Sequence, residues 1–69
     1  MGNKLPKRLK DIAVSYAECD MNRAAVAKKY NVTLAAIYYR LNQIQEITGL
    51  DPRRFYDLVE LLKELGGVQ

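Results

Sequence analysis

The side chains best suited to chemistry gather between positions 23 and 43. Thr33, Tyr38, Tyr39, Arg40, Asn42 and Gln43 bring hydroxyls, amides and a guanidinium close together, and Arg23, Lys28 and Lys29 lie just ahead of them. Such groups recognise phosphates and base edges. A guanidinium binds either one bidentately, amides pair with adenine, and ammonium groups attract phosphates without sequence choice. Bond-making chemistry is not indicated. The chain has no histidine, and its one cysteine, Cys19, cannot build a zinc site. No glycine-rich phosphate loop is present either, since the Gly66-Gly67 pair lies at the C-terminal end. Glu60 and Glu64 share a solvated helical face with Asp57 and Lys63, the natural place for such charges. No metal, no other cofactor and no enzymatic activity are expected.

The residues that must position this group describe a sharp bend. Asn22 to Leu41 reads as two short helices joined at Lys29-Tyr30-Asn31-Val32-Thr33. Asn31 is the pivot, because Asn is the most tolerant choice after Gly for the left-handed backbone that ends a helix. Val32 follows as a buried plug, and Thr33 can cap the next helix by accepting from an orphan N–H. Ala27, four residues before Asn31, lets two helices cross closely, and Ile37, five after Val32, turns back into the same core. Small residue, turn residue, plug and anchor at this spacing form the helix-turn-helix pattern, whose second helix enters the DNA major groove. The plain alternative is a helical hairpin with no ligand.

Around the bend, helical periodicity predicts an all-α, four-helix domain. The first helix begins close to Pro6 and buries Leu9, Ile12, Ala13, Tyr16 and Cys19 at i, i+3, i+4 spacing. Asp20 or Asn22 caps the second, which runs to about Tyr30 with Val26, Ala27 and Tyr30 inward and Arg23, Lys28 and Lys29 outward. The third starts after Thr33 and ends at Gly49. Ile37, Leu41, Ile44 and Thr48 form its inner stripe, opposite Ala35, Tyr39, Asn42, Gln43 and Glu46, with Ala36, Tyr38 and Arg40 on the flanks. Leu50-Asp51-Pro52 signals the fourth helix, with Asp51 as N-cap, Pro52 at the first position and Leu50 stapled to Phe55. Its stripe is Phe55, Leu58, Val59, Leu62 and Leu65, with Tyr56 and Leu61 off the stripe and a stop at Gly66. The expected organisation is a disordered N-terminus at 1–5, a helix-turn-helix domain at 6–66 with the motif at about 22–48, and a tail at 67–69.

Asn22, the Ala-rich second helix, Val32, Ile37, Tyr39-Arg40-Leu41, Ile44, Thr48-Gly49-Leu50-Asp51 and the trailing leucine helix resemble the C-terminal helix-turn-helix of PucR/CdaR-type regulators. The first half is also similar to the DNA-binding end of the factor for inversion stimulation and of enhancer-binding activators. The resemblance implies DNA binding, with Tyr39 and Arg40 as contacts. Thr33, Tyr38, Asn42, Gln43, Arg23, Lys28 and Lys29 come from geometry alone. Where the family tends to have His, Asn and Thr ahead of the apolar anchor, this chain has Thr33, Ala35 and Ala36. Alanine offers a base edge no hydrogen bond, though its methyl can touch a thymine methyl. In such regulators the module follows a larger sensory part, so the chain is expected to be a fragment or a small protein using the module alone.

Charge supports the same reading. Of 69 residues, positions 1–40 hold eight Lys/Arg against three Asp/Glu, and positions 41–69 hold three against five, for a net +3. A basic half carrying the motif suits a module that lays one side on a polyanion. So short a chain buries only about 60% of its unfolded surface, which makes association the expected extra support. The expected partners are double-stranded DNA and a second copy of the chain, joined through the fourth helix and also the first. Apolar runs are too short to span a bilayer and no signal peptide is visible, so a cytoplasmic protein is expected. The exposed apolar remainder (Tyr56, Leu61, Val68) points to a sticky C-terminal helix. Two rivals remain: a protein-interaction module on the same scaffold, favoured by Ala35, Ala36, the mild charge and the leucines of the fourth helix, and a DNA-recognising subunit of a larger viral packaging or replication complex.

Overall fold

The computed structural model describes residues 5–66; the tail at 67–69, Val68 and Met1–Lys4 lie outside the described residues. Four α-helices follow in order: α1 (Lys7–Glu18), α2 (Arg23–Tyr30), α3 (Leu34–Thr48) and α4 (Phe55–Leu65). No strand occurs among the described residues. Helix α1 is the hub. It packs on each of the other three, and α2 packs on α3. The core is drawn from every helix: Leu9, Ile12, Ala13 and Tyr16, then Val26 and Ala27, then Ile37, Leu41 and Ile44, then Leu58, Leu61 and Leu62. Cys19 is half-buried against it, as are Tyr30 and Val32.

Helix α1 starts directly after Pro6, whose carbonyl accepts from the N–H groups of Leu9 and Lys10 at 2.9 and 3.0 Å. Leu5 departs from expectation. The sequence places it in the N-terminal segment 1–5, yet its side chain is 4% exposed and belongs to the core. An apolar residue one position before the N-cap can fold back over the first turn, and removing a leucine from water is worth about 1.5–3 kcal/mol.

Helices α1 and α2 meet at a corner the sequence did not announce. Asp20 and Met21 are both left-handed, at φ 57° and 61°, although neither is glycine. Each such residue costs roughly 1–2 kcal/mol in backbone strain, somewhat less for Asp. Packing of the Met21 side chain against the core offsets part of that. Between the two possible caps of α2, Asn22 is the one used: its side chain accepts from Ala25 N–H at 3.1 Å.

The α2–α3 turn has the expected form. Asn31 is left-handed (φ 57°, ψ 47°). The Val32 N–H reaches back to the Ala27 carbonyl at 3.0 Å, and the Asn31 N–H to Lys28 at 3.2 Å, the paired bonds of a Schellman ending. The Thr33 hydroxyl then accepts from Ala36 N–H at 3.1 Å and starts α3. At the far end Gly49 takes φ 79°, and Thr48 Oγ1 donates to the Ile44 carbonyl (2.7 Å) while accepting from Leu50 N–H (3.1 Å).

Helix α4 differs in two ways. Asp51 and Pro52 do not start it. Asp51 Oδ1 accepts from Arg53 N–H (3.0 Å) and Arg53 Nε (2.8 Å), the Arg54 N–H bonds to the Asp51 carbonyl (2.9 Å), and the result is a single turn. Arg54 is extended, and the helix restarts at Phe55. The Asp51 N–H goes to the Asp57 carboxylate at 3.1 Å, which ties the turn to the start of α4. The buried stripe is also rotated. Leu61 is 1% exposed, whereas Phe55 is 60% exposed, so the Leu50–Phe55 staple does not form. Leu58, Leu62 and Leu65 fit a stripe flanked either by Phe55 and Val59 or by Leu61. Packing on α1 selects the second, and no local rule distinguishes them.

Candidate nucleic-acid interface

Helix α3 presents its outer surface uncovered, since α4 leans on α1 instead of folding over it. Tyr39 is 63% exposed, and Ala35, Asn42 and Glu46 are exposed beside it. Tyr38 is at the margin, 38% exposed, with the Arg23 guanidinium stacked on its ring at 4.8 Å from the centroid. That stack links the first turn of α2 to the flank of α3, and at an exposed site it is worth about 0.5–1 kcal/mol.

Arg40 and Gln43 are half-buried on the other flank. Here the structure adds a residue that sequence reasoning missed. A cleft of about 380 Å³ opens between the start of α1 and α3, lined by Pro6 and Arg8 on one side and by Ala36, Tyr39, Arg40 and Gln43 on the other. The charge asymmetry of the chain hinted that the first helix contributes, but nothing local set Arg8 apart from Lys7 or Lys10.

The remaining candidates divide. Thr33 is exposed and its hydroxyl oxygen is engaged as the α3 cap. Lys28 is exposed in the last turn of α2. Lys29 turns toward α1, donating to Ser15 Oγ at 3.1 Å and lying 3.8 Å from the Glu18 carboxylate. Ser15 Oγ is also 2.8 Å from Tyr30 Oη, so a polar cluster joins α1 to α2 beneath Lys29. The structure therefore brings Tyr38, Tyr39, Arg40, Asn42 and Gln43 onto one helix with Arg23 beside them, and holds Lys29 apart.

The family described as the PucR C-terminal helix-turn-helix domain matches residues 9–65. The chain belongs to that family. The match runs from within α1 to the end of α4, and the character of the family is that of a DNA-binding helix-turn-helix domain. No curated protein and no solved structure matches the chain. Among the described residues no helix is long and apolar enough to cross a membrane.

Proposed function

We propose that this PucR-type domain binds double-stranded DNA by docking α3 in the major groove, with some sequence preference, and acts as a small transcriptional regulator or DNA-organising protein. One observation carries the reading: the polar outer side of α3 is left open on a scaffold whose turn, caps and core all serve to hold that helix out. Tyr38, Tyr39, Arg40, Asn42 and Gln43 face the DNA, and Thr33 lies at the end of α3 nearest the bend. Arg23 and Lys28 meet phosphates from α2. Lys29 joins them only by leaving Ser15 and Glu18, a small obstacle, since an exposed ion pair contributes no more than about 1 kcal/mol. No step makes or breaks a covalent bond.

A single copy reads one half-site, and a two-fold pair would set two α3 helices about 34 Å apart along the duplex. We propose a homodimer through α4 and the adjoining end of α1. Phe55, Tyr56 (83% exposed) and Val59 form an apolar surface on α4, next to a shallow hollow lined by Ala17, Met21, Leu58 and Leu62. Leu61 is in the core and takes no part. A light-scattering mass of one chain at high micromolar concentration would refute the pairing.

The binding claim is tested by fluorescence anisotropy on random-sequence duplex. Four phosphate contacts, from Arg23, Lys28, Lys29 and Arg40, give a slope of about −3.6 in log affinity against log salt, or roughly a 150-fold loss between 50 and 200 mM. An affinity indifferent to salt would instead favour the second reading, a protein-interaction module, to which Ala35, Ala36 and the exposed Phe55-Tyr56 pair lend support.

A further inference from the structure

We propose that Arg8 and Arg40 grip one backbone phosphodiester of the DNA in the cleft between α1 and α3, so that Arg40 anchors the strand and does not read a base. The inference rests on the DNA-binding reading and adds to it a contact from α1 and a role for Arg40.

The cleft is lined by two arginines from separate helices, and among the described residues no carboxylate lines it. Neither arginine is engaged in an ion pair among those residues; Asp11, the nearest acid along α1, is held by Lys7 at 3.2 Å. The first turn of α1 carries no acidic residue and no side-chain cap, so nothing there offsets the charge of Arg8. Two arginines sharing a cleft without an acid repel each other, and an anion between them reverses that. Planar guanidiniums suit the tetrahedral oxygens of a phosphodiester, to which each can donate twice. The cleft is open to solvent, so a phosphodiester can reach it from outside. Gln43 and Tyr39 stand at the same cleft with further donors.

The helical register separates two roles. Ala36, Arg40 and Gln43 follow i, i+4, i+7 and form the stripe on the cleft. Ala35, Tyr38 and Asn42 follow i, i+3, i+7 and form the neighbouring stripe, with Tyr39 between the two. If the cleft holds the backbone, base edges fall to the second stripe, where Asn42 is the amide placed for adenine and Ala35 the methyl placed for thymine.

The test compares the parent with Arg8→Gln, Arg40→Gln, the double variant and Lys63→Gln, a control on α4, across duplexes of several sequences and a range of salt. Circular dichroism confirms that helicity is retained. Arg8→Gln and Arg40→Gln should each weaken binding roughly ten-fold. The loss should be uniform over sequences, with the salt slope falling by about 1 in the double variant and by less in each single. The double variant should lose less than the product of the singles, because both act on one phosphate. An unchanged slope in the double variant overturns the proposal, as does undiminished binding in Arg8→Gln or an equal effect from Lys63→Gln. So does Arg40→Gln altering the ranking of sequences at constant slope. Each of those outcomes leaves DNA binding standing, whereas a parent that binds no duplex removes both readings.

Discussion

Substitutions at Asn31 test the bend that sets α3 apart from α2. Asn31 is exposed at φ 57° and ψ 47°, and no side-chain hydrogen bond holds it, so its contribution is almost wholly conformational. A β-branched side chain in this region meets its own backbone, and the left-handed conformation costs roughly 1–2 kcal/mol for an ordinary residue. A domain this size has a total stability of roughly 3–10 kcal/mol. Asn31→Val should therefore lower Tm by about 4–16 °C, at about 4–8 °C per kcal/mol. Asn31→Gly relieves the strain but loosens the unfolded chain, and should stay within about 1 kcal/mol of the parent. Thermal unfolding followed by circular dichroism measures both. The reasoning is refuted if Val is tolerated as well as Gly, or if Gly is as damaging as Val. Either result would mean that the ending formed by the Val32 N–H and Ala27 carbonyl does not govern the turn.

Three further outcomes follow from the packing and the polar contacts. Leu61→Ala should destabilise by about 2–5 kcal/mol and Val59→Ala by under about 1, since Leu61 is in the core and Val59 is on the surface; equal losses by chemical denaturation would restore the stripe expected from periodicity. Tyr30→Phe removes the hydroxyl that meets Ser15 Oγ, and should cost about 0.5–1.5 kcal/mol, with an unchanged melting curve showing that the α1–α2 polar cluster adds nothing. Burial works to raise the Asp51 pKa, but the Arg53 side-chain and backbone bonds, with the charges of Arg53 and Arg54, outweigh it and hold the carboxyl below its ordinary 3.8. A depressed folded pKa stabilises above the unfolded value and ceases to do so as pH falls through the folded one. Asp51→Asn should thus be less stable than the parent at neutral pH, with the gap closing below pH 3.8; a gap that persists in acid would contradict the assignment.

Features set by one or two adjacent residues were readable in the sequence. Asn31, Thr33 and Gly49 each answer a local demand, a left-handed φ or an orphan N–H, and each stands where that demand predicts; Asn22 is one of the two caps the sequence left open. Features set by distant partners were not. The Asp51-Pro52 signal is a real local preference, yet it produces one turn because Arg54 is extended and α4 restarts at Phe55. Leu61 and Phe55 exchange places because the stripe of α4 is chosen by α1, at the far end of the chain. The left-handed Asp20-Met21 corner carries no glycine to announce it, and Leu5 shows its burial only once α1 has partners. At the interface, the exposed side of α3 was legible from helical period alone. The Arg23–Tyr38 stack, the capture of Lys29 by Ser15 and Glu18, and the Arg8–Arg40 cleft arise where helices meet.

The most direct measurement is a titration of the isotopically labelled protein with short duplex DNA, following backbone amide shifts by NMR. The largest changes should fall on positions 35–43 of α3 and on Thr33, with smaller ones at Arg8 and Arg23. Changes centred on α4, or none at saturating DNA and low salt, would contradict the claim that the open side of α3 is the DNA-binding surface.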